Sequence, residues 1–372
     1  MCIRDRHHTA DSHRCLPPEA LKIILSSGDE TNIGVLPQEI FHTCTPTNGS
    51  REVVAPPPHA KWISLDIISA ASIDSFAFSI DEHPLWVYAV DGHYIEPLKV
   101  EILPVNNGDR YSVFVQLDKP AASYGIRVAS TALIQLIDTT AVLTYNGNSS
   151  GDSFVVNSTR YQTQAGASVS SSAILFNQTD MVSFPPQFPQ PAPEVDQTFI
   201  LTLDTVEASY IWALNNSIYD HALDNGAPPL LYQQPSASGP GGNVTITTKN
   251  NTWVDLVFAV ATLGQPPHPI HKHSNKGFII GQGHGKFEWA SVAEAAAQIP
   301  ESFNLVTPPL RDGFVTPPTD LDPTWLAVRY HVVNPGAWML HCHIQSHLSG
   351  GMAMVILDGV DEWPDVPDDC TN

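Results

Sequence analysis

Two short stretches of this 372-residue chain hold side chains whose types and spacing suit metal chemistry. HCHIQSHLSGGM, residues 341–352, places His341, Cys342, His343, His347 and Met352 within one turn-and-strand length. HPIHKH, residues 268–273, adds His268, His271 and His273. The whole chain has only 5 cysteines and 5 methionines, so gathering two sulfur atoms beside imidazoles points to a soft-metal ligand set. Successive side chains of a β-strand point to opposite faces. In HCH, therefore, His341 and His343 share a face and Cys342 takes the other. In HPIHKH, His271 and His273 share a face and His268 takes the other. Two such strands side by side create two sites, one backbone thickness apart.

The first site collects Cys342, His268 and His347, with Met352 close by in sequence. A thiolate, two imidazoles and a weak axial thioether describe a blue-copper electron-transfer centre. The second site collects His271, His273, His341 and His343, an all-imidazole set suited to copper that binds oxygen. Cys342 is bonded through the backbone to both flanking histidines, which makes a short electron conduit between the sites. Other readings stand beside this one. Cys342, His343 and His347 also suit a structural zinc, although zinc needs neither matched strand parity nor a methionine. A hydrolytic zinc site built on an HxH pair usually has an aspartate following, and HPIHKHSNK has none. Core histidines without a metal are the default for any one of these residues taken singly.

The elements that must position these groups read as strands. KWISLDIISAASIDSFAFSID and RYSVFVQL, within 61–145, alternate apolar and polar residues, with Tyr111, Val113, Val115 and Leu117 on one face. NVTITTKNNTWVDLVFAV, WLAVRYHVV and GMAMVILDG, within 197–360, read the same way. Asn106-Asn107-Gly108 and Asn334-Pro335-Gly336 are turn signals, and the second feeds directly into the HCH strand. SVAEAAAQI, 291–299, is a short helical insertion. Residues 148–195 are rich in Ser, Asn, Gln and Pro, the composition of a linker. With 32 prolines, 23 glycines and 15% charged residues, the chain is expected to be all-β, in two antiparallel sandwich or barrel domains. The domain reading is 1–160, a linker 161–194, and 195–372 carrying the ligands.

A net charge of −21 argues against nucleic acid or an anionic membrane surface as partner. No apolar run approaches the ~18 residues of a membrane-spanning helix. Seven Asn-X-Ser/Thr acceptors, at Asn48, Asn148, Asn157, Asn177, Asn215, Asn243 and Asn250, lean towards an extracellular, secreted glycoprotein. The start, MCIRDRHHTADSH, lacks the apolar segment of a signal peptide, so the leader is expected to be lost with an upstream segment.

PHPIHKHSNKGFIIG together with NPGAWMLHCHIQSHLSGGMAMVILDG resembles the C-terminal copper signature of multicopper oxidases. HKHSNK, FEWASVAEA and LRDGFVTPP are most similar to ascomycete fungal laccase-like enzymes, including conidial-pigment oxidases. SIDEHPLWVYAVDGHYIEPLKVEILPVNNGDRYSVFV is similar to the middle domain of that family, and WALNNSIYDHALDNGAPPLLY to the start of its third. The resemblance implies two cupredoxin-like Greek-key domains, the second and third of three. It implies His268, Cys342 and His347 as type 1 copper ligands with Met352 axial, His271 as the type 2 ligand, and His273, His341 and His343 as type 3 ligands. An axial methionine further implies a comparatively low type 1 potential. The implied reaction is one-electron oxidation of a phenolic or pigment-precursor substrate at type 1 copper, coupled to reduction of O2 to water; O2 and a small phenolic reductant are the implied partners.

The family's first domain supplies four more trinuclear histidines in HWHG-like and HxH-like motifs, which this sequence does not contain. The early His7, His8 and His13 have no matching context. An N-terminal cupredoxin domain is therefore expected as the structural partner, with only half of the trinuclear cluster supplied here. Cys44 and Cys370 match family cysteines that pair with that first domain; pairing with Cys2 or Cys15 remains open. Two rival functions stay open. A ferroxidase needs carboxylates near the type 1 histidines, for which Glu288, Glu294, Glu301 and Asp312 are positional candidates. A non-catalytic electron-transfer cupredoxin needs only the first site.

Overall fold

The computed structural model describes residues 51–131, 140–145, 155–186, 195–206, 211–222, 228–233, 235 and 244–365, and the backbone of 14–15, 135–136 and 208–210. The side chains of His7, His8, His13, Cys2, Cys15, Cys44, Cys370, Asn48, Asn148 and Asn243 lie outside the described residues. Packing divides the chain into two compact units, Met1–Gly92 with Pro97–Asp180, and His93–Glu96 with Met181–Asn372.

The strands of the first unit are β1 (Val53–Val54), β2 (Trp62–Ile68), β3 (Phe76–Ile80), β4 (Leu85–Val90), β5 (His93–Val100, of which His93–Glu96 group with the second unit), β6 (Leu103–Val105), β7 (Arg110–Gln116), β8 (Ser123–Ser130) and β9 (Thr140–Thr144). One sheet has the order β1-β9-β8-β3-β6 and the other β2-β7-β4-β5. Alternation decides the inward face: Tyr111, Val113 and Val115 are buried, while Phe114 between the last two and Gln116 after them are exposed. Arg127 makes a two-pronged ion pair with the fully buried Asp81, at 2.6 and 2.8 Å. That pairing satisfies a carboxylate that burial would otherwise penalise.

The second unit holds β10 (Gln197–Val206), β11 (Ala208–Leu214), β12 (Thr245–Thr247), β13 (Trp253–Val260), β14 (Pro269–Lys272), β15 (Gly277–His284), α1 (Val292–Gln298), β16 (Leu310–Arg311), β17 (Gly313–Val315), β18 (Thr324–His331), β19 (Gly336–Cys342), α2 (Gln345–Ser349) and β20 (Ala353–Asp358). A six-stranded sheet runs β11-β10-β13-β18-β15-β16, and a five-stranded sheet runs β12-β20-β19-β14-β17. Val254, Leu256 and Phe258 from the first sheet and Leu340, Cys342, Met354 and Ile356 from the second join one apolar core, so the two sheets form a sandwich. The opposite face of the six-stranded sheet is also covered. Val257, Ala327 and Trp325 pack there on Val292 of α1. Burial on both faces is why WVDLVFAV and WLAVRY read as nearly continuous apolar runs.

The expected helix is present as α1. Ser291 caps it by accepting the Glu294 N–H at 3.1 Å, and the Glu294 carboxylate accepts the Ala290 N–H at 3.0 Å. The first bond closes a donor that a helix start leaves open, and the second ties the chain before the cap to the first turn. Within the stretch read as a linker, residues 161–186 carry isolated bridges. Gln162 pairs with Ser168, Ile102 with Leu175, and Ile95 with Ser183. Phe176 and Met181 of this stretch are buried. Among the described residues no helix is long and apolar enough to cross a membrane.

Candidate metal centre

Strand β14 lies antiparallel to β19, with Ile270 opposite Cys342 and His271 opposite His341. The pleat therefore sends Cys342 into the sandwich core with Ile270, and sends His271 and His341 out on the other face. His343 follows the strand and anchors its N–H on the Pro269 carbonyl at 2.7 Å. His273 anchors its N–H on the Met339 carbonyl at 2.9 Å.

On the core side, His268 Nδ1, Cys342 Sγ and His347 Nδ1 form a triangle. Its edges are 3.9 Å (Cys342–His268), 3.7 Å (Cys342–His347) and 3.2 Å (His268–His347). Bonds of about 2.0 Å to nitrogen and about 2.3 Å to sulfur, arranged in a plane, separate the donors by about 3.5–3.7 Å. The triangle thus has the size of a trigonal metal site with two nitrogen donors and one sulfur. Among the described residues it is the one group of three such donors this close together. All three side chains are buried, and Met352, fully buried, shares the core cluster of Cys342. The Cys342 N–H donates to the Met352 carbonyl at 3.1 Å, and the Met352 N–H donates to the His347 carbonyl at 2.9 Å.

At the two imidazoles, electrostatics suit a metal more than a proton. Burial, with His347 beside it, pushes His268 down to about 3, and burial takes His347 to about 4. Both imidazoles are neutral at ordinary pH, with lone pairs to give. Burial pushes the Cys342 thiol up to about 12, so the thiolate needs a compensating cation.

The other face assembles the four remaining histidines. Ring centroids are 5.0 Å apart for His271–His273, 5.7 Å for His271–His341, 6.1 Å for His271–His343, 5.4 Å for His273–His341 and 5.8 Å for His341–His343. His273 Nε2 lies 3.3 Å from His341 Nε2. His271 Nδ1 donates to the Asp312 carbonyl at 2.9 Å, and His341 Nδ1 donates to the Cys342 carbonyl at 2.8 Å. Each bond fixes a tautomer that leaves Nε2 bare as a ligand. Burial brings His341 to about 4, against its bond to Cys342 and helped by the neighbouring histidines. Burial lowers His273 too, and His271 beside it adds to the shift.

Several residues that matter here carry no motif. Trp212 of β11 stacks on His347 with ring centroids 3.7 Å apart and meets His268 edge-on at 5.5 Å. Its backbone N–H holds the Gly350 carbonyl, and the Tyr219 N–H holds the Gly351 carbonyl, both at 2.9 Å. Gly351 sits at φ +107°, where an added Cβ would run into Ile218 and come within 3.0 Å of the Trp212 carbonyl. Gln265 accepts from His268 Nε2 at 2.9 Å and donates to Asp204 at 3.0 Å. Lys272, between the two histidines of HKH, turns into the core, 1% exposed, and pairs with Asp358 at 2.8 Å. Of the ferroxidase candidates, Glu288, Glu294 and Glu301 are exposed, and Glu294 is engaged in the α1 cap. Asp312 lies on the imidazole face beside His271, where its carboxylate pairs with Lys276 at 3.1 Å.

Comparison with known proteins adds an independent line. Two multicopper oxidase domain families match, over residues 44–148 and 214–362. Laccase abr2 of Aspergillus fumigatus is 40% identical over 335 residues, which is 89% of this chain and 56% of the relative. Multicopper oxidase elcG of Phaeosphaeria nodorum is 38% identical over 361 residues, 95% of this chain and 56% of the relative. In fold, the chain is similar to the laccase from Botrytis aclada, with a TM-score of 0.68, 24% identity, and coverage of 87% of this chain and 56% of that one. The chain spans about half the length of the curated relatives it matches. Both domain matches carry one family name, and the second encloses the whole His–Cys–His triangle and the imidazole face behind it: the chain belongs to the multicopper oxidase family.

Proposed function

We propose that this chain is the copper-bearing part of a laccase-type oxidase that takes single electrons from phenolic or pigment-precursor substrates. His268, Cys342 and His347, with Met352 in the same core, would hold a type 1 copper. His271 would hold a type 2 copper, and His273, His341 and His343 the type 3 pair. Copper bound at these sets would supply one-electron substrate oxidation at the first and reduction of O2 to water at the second. The His–Cys–His triangle is the observation that carries this reading: two neutral imidazoles and a thiol converge at metal-bonding distances in a dry core. Cys342 lies one backbone step from both His341 and His343, so the electron-entry group is covalently continuous with the imidazole face.

The residues of the chain do the rest. Trp212 excludes water from the flank of His347, and the Asp312 and Cys342 carbonyls hold His271 and His341 with Nε2 turned to the cluster. Four imidazoles are half of a trinuclear set, so the remaining ligands would come from polypeptide outside these 372 residues, in a cupredoxin-like domain preceding two of the same kind. Of the carboxylates offered for Fe(II), Glu294 is engaged in the α1 cap and Asp312 is paired with Lys276 on the imidazole face, which favours an organic reductant. An extracellular location fits the exposed acceptor asparagines Asn157 and Asn177.

The test is anaerobic addition of a phenol to the copper-loaded chain. Bleaching of a visible copper band, with a phenoxyl product in equal amount, is expected. Bleaching by Fe(II) but by no phenol would overturn the substrate class.

A further inference from the structure

We propose that Asp204 and Gln265 are positioning residues that set the tautomer of His268 and so aim its Nδ1 lone pair into the His–Cys–His triangle. The inference rests on the metal reading of that triangle but is carried by a separate chain of donors and acceptors. The Asp204 carboxylate receives the Thr205 N–H at 2.8 Å, the Thr262 hydroxyl at 2.6 Å and the Gln265 Nε2 at 3.0 Å. A carboxylate so surrounded only accepts. The Gln265 amide must therefore turn its NH2 towards Asp204 and its carbonyl oxygen towards His268; the flipped amide would set acceptor against acceptor.

The next step is equally constrained. Gln265 Oε1 lies 2.9 Å from His268 Nε2, and an amide oxygen only accepts, so Nε2 carries the hydrogen. A neutral imidazole has one N–H, which leaves Nδ1 bare, facing His347 Nδ1 at 3.2 Å and Cys342 Sγ at 3.9 Å. The relay cannot slide. The Gln265 N–H donates to Thr319 Oγ1 at 2.8 Å, the Thr319 N–H donates to the Gln265 carbonyl at 3.1 Å, and the Thr319 hydroxyl donates to the Thr262 carbonyl at 2.8 Å. The His268 backbone is held likewise, its N–H on Thr316 Oγ1 at 2.9 Å. Gln265 is 6% exposed and His268 fully buried, so water offers no substitute partner. Outer partners of this kind fix ring orientation and raise ligand basicity, and their loss typically lowers metal affinity about 10–100-fold.

The experiment uses the full 372-residue chain labelled with 15N-histidine. In the metal-free wild type, long-range 1H–15N spectra, with His268 assigned by its loss in H268A, should show hydrogen on Nε2 only. D204A should populate both tautomers, and D204E should restore the single one. Cu(II) titration followed at the thiolate-to-copper band, with C342S as blank, should give an affinity about tenfold lower in D204A and Q265L and recovered in D204E. A wild-type His268 protonated on Nδ1, or unchanged tautomer and affinity in both D204A and Q265L, would overturn the proposal. Failure of the wild type to form the copper band would instead sink the metal reading, and the metal-free tautomer would still decide this one.

Discussion

At the scale of single residues, the centre joins two imidazoles that resist protons to a thiol that holds its own until a metal displaces it. His268 and His347 sit at about 3 and about 4, and the Cys342 thiol at about 12, with burial the first cause each time. Between pH 7 and 9 the imidazoles are therefore already neutral and the thiol still protonated. Copper binding at this site should release one proton, from Cys342 alone, and binding should tighten about tenfold per pH unit in that window. Calorimetry in buffers of different ionisation enthalpy reads the proton count; a value near zero or two contradicts the assignment. The metal-free chain carries the complementary sign. A histidine lowered on folding binds more protons when unfolded, between its folded value and about 6.5, so stability is full above about 6.5 and falls as pH drops towards 4. Thermal unfolding of the metal-free chain should show that decline, and H347Q should flatten it.

At the scale of elements, pairing and parity do the positioning. β14 against β19 puts His271 opposite His341 and sends Cys342 to the reverse face. Lys272 pins this strand from within. Its ammonium donates to Asp358 at 2.8 Å and to the His273 carbonyl at 3.1 Å, and lies 4.5 Å from the centre of the Tyr330 ring. Asp358 also receives Thr248, Tyr330 and Asn275. Removing one partner of a buried pair leaves the other charge stranded, a cost of about 3–5 kcal/mol. K272M and D358N should each lose stability on that scale in denaturant unfolding, and the double variant should lose less than the sum. Strictly additive losses would mean that the two charges act independently. Gly351 is the second point of leverage. A side chain at φ +107° against Ile218 and the Trp212 carbonyl would displace the loop after α2. G351A should weaken copper binding at Cys342 by at least about tenfold while the near-ultraviolet signature of the sandwich persists; unchanged binding would show that the loop adapts.

Whole strands and the helix were legible in the sequence because each has a period: Tyr111, Val113 and Val115 alternate with exposed neighbours, and SVAEAAAQI carries its own cap. HCH and HPIHKH were legible because a two-residue period assigns faces without coordinates. The supporting groups were not. Asp204 and Gln265 stand 64 and 3 residues before His268, and only the parallel pairing of β10 with β13 gives the first a route to the site. Trp212 reads as an ordinary strand aromatic. Lys272, a charge between two ligands, reads as solvated, and only the Asp358 pairing 86 residues away explains its burial.

At the scale of the whole molecule, the chain presents a buried His–Cys–His triangle and, behind it, an imidazole face of four. Family membership and the His–Cys–His triangle together put copper at Cys342 at the centre of the proposed function. With only four imidazoles in its second set, the purified, copper-loaded chain should reduce O2 slowly or not at all, which an oxygen electrode with a phenol as reductant can measure. The most direct measurement is the visible and electron-paramagnetic-resonance spectrum of the copper-loaded chain beside that of C342S. The expected result is an intense thiolate-to-copper band with the narrow copper hyperfine splitting of a thiolate site, both lost in C342S. Copper bound without that band, or a band that survives in C342S, would contradict copper ligation by Cys342.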